Sequence, residues 1–287
     1  MPRTSAANKQ AESIVENEKL KNQAESIFSQ STALTETVAM PSRGLINGIP
    51  KEIVIRAIQR KDKKKMLLSE IDDVLLSLLQ YSIVSPADFN VYNLLPFESE
   101  YLLYRLRVLT YGSNYTFKRK CPYCGTVNDV EIDLNEIPIV EVPDNFKIVF
   151  DIPPLPVSGI QLKCKLLSEG ERKSIAKRAK ELEEATGNKS ASIDSYWDSR
   201  IVAVNGNSKL APVEITQILD ELTDYDSEYF MAYYSKYEGN YGLQTKLKYE
   251  CDNCHNAVSD DMPNIATFFR PKFTLPDFIW WSYRCFI

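Results

Sequence analysis

Apolar residues recur along this chain with two periods, and each change of period marks a new element. Ile71, Val74, Leu75, Leu78 and Leu79 keep the spacing of one buried helical face, so a helix is predicted over residues 69–79, capped by Ser69 with acidic residues in its first turn. Pro96 precedes a second helix, over 98–109, on which Leu102, Leu106 and Leu109 share a face while Arg107 points away from it, toward solvent or a partner. Gly112 supplies the stop. Short β-branched or alternating runs predict strands at 52–58, 115–120, 128–133, 140–142, 146–150, 160–166, 245–250 and 256–258, with Pro153-Pro154-Leu155-Pro156 a stiff connector among them. Ser168 and Glu171 form a capping-box signature ahead of a charged helix that runs to 185 and stops at Gly187. Three more helices are expected: over 193–204, ending at Asn205-Gly206; from Pro212, turning Ile215, Ile218, Leu219 and Leu222 inward; and over 229–237, with Asp226 as its cap. Gly239 and Gly242 then return the chain to strand.

The two ends lack such patterning. Residues 1–43 are rich in Ser, Ala, Asn, Gln and Glu, and Ile14, Val15, Leu20, Ala24, Ile27 and Phe28 make only a thin helical stripe, too little burial to offset the ordering of the backbone. This flexible arm is either a disordered tail or a helix that forms when it docks on a partner. The C-terminal run from Phe278 is far too short to span a bilayer. It either folds back on its own core or anchors in a partner's groove through Phe278, Trp280, Trp281, Tyr283 and Phe286, since large aromatics concentrate binding energy at interface centres.

Composition narrows the function classes. At 287 residues the chain can build one large or two ordinary domains with an unstapled core. No run approaches the roughly 18 apolar residues of a membrane span, and the polar first residues do not read as a signal peptide, so folding in a cytosol is expected. The net charge of −5 argues against nucleic-acid binding, which calls for a basic stripe. The basic run Arg60-Lys61-Asp62-Lys63-Lys64-Lys65 is local, either a solvated bend between a strand and a helix or a contact for an anionic partner.

Six cysteines in a reducing compartment point to metal rather than disulfides, and four of them fall in two knuckles, Cys121-Pro122-Tyr123-Cys124-Gly125 and Cys251-Asp252-Asn253-Cys254-His255. Each knuckle sits between short strands, the layout of a zinc ribbon in which two hairpin tips present four thiolates to one structural Zn2+. If Cys121, Cys124, Cys251 and Cys254 share that zinc, the metal fastens distant parts of the chain and everything between becomes an insertion. The letters Cys121-Pro122-Tyr123-Cys124 also suit a thiol redox centre, but such a centre opens a helix, whereas a turn and a strand are expected after Cys124. His255, the only histidine, either stands beside the knuckle or replaces Cys254 as a ligand, and Cys164 and Cys285 read as buried thiols. No phosphate-cradling loop, serine elbow or histidine-based triad is visible, so no catalysis is expected. The fold class is therefore α+β, a zinc ribbon linking an N-terminal helical region to a large mixed α/β insertion. Its expected divisions are a flexible arm at 1–43, an α+β region with the first knuckle at 44–134, an α+β insertion at 135–243, and the second knuckle with an aromatic tail at 244–287.

The block from Phe97 to Leu134 adds a resemblance. Its helix Phe97-Glu98-Ser99-Glu100-Tyr101-Leu102-Leu103-Tyr104-Arg105-Leu106-Arg107, the turn Tyr111-Gly112-Ser113, the strand Tyr115-Thr116-Phe117, the knuckle and the strand ending at Asp133-Leu134 together resemble the T4-type bacteriophage baseplate protein family. That resemblance implies a structural or assembly role without catalysis, partners among other phage tail baseplate or hub proteins, and a place in the virion tail baseplate after synthesis in the host cytoplasm. The competing reading is a zinc-ribbon regulator of nucleic acid or the transcription machinery, which the acidic balance and the scarcity of basic residues beyond Lys118-Arg119-Lys120 disfavour.

Overall fold

A computed structural model of the chain describes residues 34–66, 74–187, 191–263 and 269. Met1–Thr35 and Glu36–Ile287 separate as two units, and the architecture below is that of the second. The arm before Leu34, the Ser69 cap, and the tail with Phe278, Trp280, Trp281, Tyr283, Cys285 and Phe286 lie outside the described residues.

Strands β1 (Thr35–Ala39), β2 (Glu52–Arg56) and β3 (Ile83–Ser85) form a three-stranded sheet in that order. Helices α1 (Arg60–Met66), α2 (Val74–Ser82) and α3 (Pro96–Tyr111) accompany it, and Leu78, Leu79, Leu102 and Leu106 enter the core as their spacing requires. The basic run is a helix rather than a bend, because its single acid is an anchor. Asp62, 1% exposed, accepts from both terminal nitrogens of Arg56 (2.7 and 2.9 Å) and from the Gln59 N–H, while Lys61 and Lys64 are exposed and Lys63 lies over the Tyr111 ring. Arg107 also departs from expectation. It is buried at 4% exposure, donates to the carbonyls of Gly112 and Asn114, and lies over the rings of Tyr111 and Tyr115. A helix leaves its last carbonyls without partners, and Arg107 reaches forward to satisfy the chain just beyond the end of α3.

A second antiparallel sheet, β7 (Val149–Asp151), β8 (Leu162–Lys165) and β9 (Ile201–Val204), is surrounded by α4 (Glu169–Thr186), α5 (Ala191–Asp198), α6 (Pro212–Asp220) and α7 (Asp224–Gly239). The capping box of α4 forms as expected, Glu171 N–H to Ser168 Oγ and Ser168 N–H to Glu171 Oε2, and Gly187 ends the helix in the left-handed region. The helix expected over 193–204 is two elements. α5 stops at Asp198, the chain reverses at Arg200, and the β-branched run that follows pairs with β8, Leu162 opposite Val204 and Cys164 opposite Ile201. Arg200, 1% exposed, is enclosed by the rings of Tyr196, Trp197 and Tyr234 and donates to the Tyr196 carbonyl. Thr223, not Asp226, caps α7; the Asp226 carboxylate instead accepts from the N–H groups of Val157 and Ser158 (2.8 and 2.9 Å), pinning the proline-rich connector.

One apolar core runs through both regions, from Val38 and Ile53 through Leu102 and Leu162 to Phe230 and Phe269. Across its middle, Phe97 at the start of α3 meets Phe146 and Tyr241, and Phe150 stacks on Tyr237 at 3.8 Å. Strands β6 (Ile139–Val140) and β10 (Gly242–Leu243) pair antiparallel, so the segment between them leaves and returns at one point. Outside that point stand two hairpins: β4 (Asn114–Lys120) with β5 (Val127–Asp133), and β11 (Lys246–Glu250) with β12 (Ala257–Asp261). The fold is α+β. Among the described residues, no helix is long and apolar enough to cross a membrane.

Candidate metal centre

The two hairpin tips are built alike. In the first, the Cys121 N–H donates to the Thr126 carbonyl (2.8 Å) and the Gly125 N–H to the Cys121 carbonyl (3.0 Å). In the second, Cys251 N–H to Asn256 O (3.1 Å) and His255 N–H to Cys251 O (2.9 Å) repeat the pattern. Tight turns of this kind need a residue at positive φ after the second cysteine, which Gly125 and His255 supply. The flanking strands hold each turn in register, Lys120 opposite Val127 and Glu250 opposite Ala257.

These turns aim all four cysteines at one point. The sulfurs of Cys121, Cys124, Cys251 and Cys254 lie within 4.8 Å of one another, with Cys121 to Cys254 at 3.7 Å and Cys124 to Cys251 at 3.6 Å. Sulfurs about 2.3 Å from a tetrahedral zinc would stand about 3.8 Å apart, so the donor set fits such an ion, and the spacing is far too long for disulfides. Cys121 and Cys251 are buried beside Val258 and Tyr249, Cys254 is half-buried, and Cys124 is exposed. His255 stays out of the cluster: its Nδ1 is 2.9 Å from Glu250 Oε1 at the surface.

The electrostatics are those of a site that calls for a cation. Hydrogen bonds with the Thr126 hydroxyl and backbone hold the Cys124 thiol down to about 5. The N–H groups of Cys254 and Asn253 lower that of Cys251. The Asn256 N–H favours the Cys254 thiolate too, yet burial and the three neighbouring thiols push it up to about 11. Four thiolates this close repel unless a positive ion sits among them.

Two further residues join the hairpins. Asn128, 2% exposed, accepts the Asp252 N–H on its Oδ1 at 2.9 Å. Arg119 donates to the Asp261 carbonyl (2.7 Å) and pairs with Asp260 (3.1 Å). Sequence reading placed Asn128 in a strand and Arg119 in a basic run, without roles. The signal was the alternation of β5, which turns a polar Asn128 to the same inward side as Val130. Cys164 is the buried thiol that its strand suggested, and burial pushes it up to about 12.

Compared with known families, the chain is matched over residues 35–270 by the family described as T4 bacteriophage base plate protein. The match takes in both hairpins and everything between them. No curated protein and no solved structure matches the chain.

Proposed function

The chain belongs to the T4 bacteriophage base plate protein family, and from that premise we propose that it builds or assembles the baseplate of a contractile tail, with a structural zinc at its four-cysteine centre. Family membership carries a structural role in the phage tail baseplate, with other tail proteins as partners. The finer reading has three parts. Cys121, Cys124, Cys251 and Cys254 hold the ion, which supplies a closed cross-link with no position open for chemistry. Residues 35–43 of the expected arm are built into the fold, β1 pairing with β2 and Val38 and Met40 entering the core, so it is the part ahead of β1, with the aromatic tail through Phe278, Trp280, Trp281, Tyr283 and Phe286, that grips neighbouring baseplate or hub subunits. The protein is made in the host cytoplasm and ends in the virion tail baseplate.

The observation that carries the metal reading is the convergence of four sulfurs from two turns far apart in sequence. Metal analysis of the purified protein should return one zinc per chain, and a metal-free protein with a Cys121 to Cys124 disulfide would overturn it. Mass spectrometry of finished tails beside their lysate tests the rest. Stoichiometric presence in the particle supports a baseplate subunit, and presence in the lysate alone an assembly factor. A salt-sensitive DNA complex at physiological ionic strength would instead favour the regulator.

A further inference from the structure

In the frame of the metal centre, Asn128 stands where Val258 stands in the second hairpin, counting each from its own knuckle. Both side chains are buried, at 2% and 4% exposure, yet one is an amide. A buried polar group left without partners is costly, so the partners of Asn128 explain its presence. Its Oδ1 accepts the Asp252 N–H at 2.9 Å, and its Nδ2 donates to the Thr126 carbonyl at 3.3 Å. Asp252 directly follows Cys251, so holding its peptide fixes the turn that carries the Cys251 and Cys254 sulfurs. Thr126 in turn has its hydroxyl 3.4 Å from the Cys124 sulfur. One side chain thus touches the turns of both knuckles without touching a sulfur.

We propose that Asn128 is a positioning residue for the four-thiolate centre, docking the second knuckle on the first so that the ligands are arranged before the metal arrives. This rests on the metal reading above. Hydrogen-bond partners just behind metal ligands typically contribute roughly 10–100-fold in affinity, and Asn128 acts on two ligands at once.

The test uses the full chain, with zinc affinity measured by competition against a chromophoric chelator, zinc release followed in time, and cobalt as the spectroscopic probe of tetrahedral thiolate geometry. Asn128→Val keeps the size, burial and strand preference of the site and copies Val258. It should weaken zinc roughly 10–100-fold, speed its release and alter the cobalt bands, with the far-ultraviolet dichroism unchanged. Asn128→Ser, too short to reach Asp252, repeats the test if the valine variant is not recovered folded. Wild-type affinity, release and spectrum in the valine or serine variant would overturn the proposal and leave the metal reading standing. A wild-type protein that takes up neither zinc nor cobalt would overturn both.

Discussion

Gly125 and His255 hold the same place in the two knuckles. Each follows the second cysteine, each donates its N–H to the carbonyl of the first, and their φ angles are 76° and 55°. The glycine, having no Cβ, holds that conformation without crowding, whereas the histidine does not. His255→Gly should therefore stabilise the protein by about 0.5–1 kcal/mol, since the pair lost with Glu250 is exposed on both sides and contributes little. Gly125→Ala should cost about 1 kcal/mol. Thermal melts of both variants in the same metal-loaded buffer decide it, and equal effects of one sign would contradict the shared geometry.

Removing the metal should act at a distance. A cross-link between Cys124 and Cys251 closes a loop of more than a hundred residues, which by chain-entropy arguments stabilises by about 4–5 kcal/mol. Chelation, or Cys251→Ser at the most buried ligand, should lower the melting temperature and open the two hairpins to protease before the core around Leu102 and Leu162. Cleavage that begins in that core would contradict this.

Gly242 carries the return of the chain from the second sheet. Its φ is +79°, and a Cβ there would come 2.9 Å from Phe97 Cβ and 3.0 Å from the Phe97 carbonyl oxygen. Gly242→Ala adds backbone strain to a clash with the first turn of α3, an expected loss of about 2–4 kcal/mol. Denaturant unfolding measures it, and a change under 1 kcal/mol would mean that α3 yields.

Glu98 introduces a pH dependence. Its carboxyl is fully buried in the first turn of α3, Oε2 accepts the Leu95 N–H at 3.3 Å, and burial raises it from 4.5 to about 7. Because the folded value is the higher one, the contribution is intact below pH 4.5 and is lost as pH rises through 7. Glu98→Gln keeps an acceptor and cannot ionise. Its stability relative to wild type should climb by up to about 3 kcal/mol between pH 4.5 and pH 7 and level off above. A difference that is flat with pH would sink this assignment.

The parts legible in sequence were those specified by neighbours along the chain. Cysteine spacing announced both turns and their strands; Ser168, Glu171 and Gly187 bounded α4; Pro212 opened α6. The misread parts depend on distant partners. The run at 201–204 fits a helix or a strand by local pattern, and β8 decides between them. Arg107 sits on the polar side of a helical wheel, yet carbonyls beyond the helix and two tyrosines draw it inward. Asp62 within a basic run could be seen as an anchor only once Arg56 and Gln59 were beside it. Asn128 has meaning only when the second knuckle, more than a hundred residues away in the chain, is brought against it.

The antiparallel pair of β6 with β10, lying just inside the two hairpins, sets a path for mechanical load. With the four thiolates joined, a pull between Glu36 and Met262 passes from the first knuckle to the second across the metal. The short pair behind it is a further clasp. Everything from Val140 to Gly242 then hangs as slack and bears no tension until the knuckles part. A baseplate protein of this build is stretched along its backbone while the sheet and helices of its largest region stay at rest.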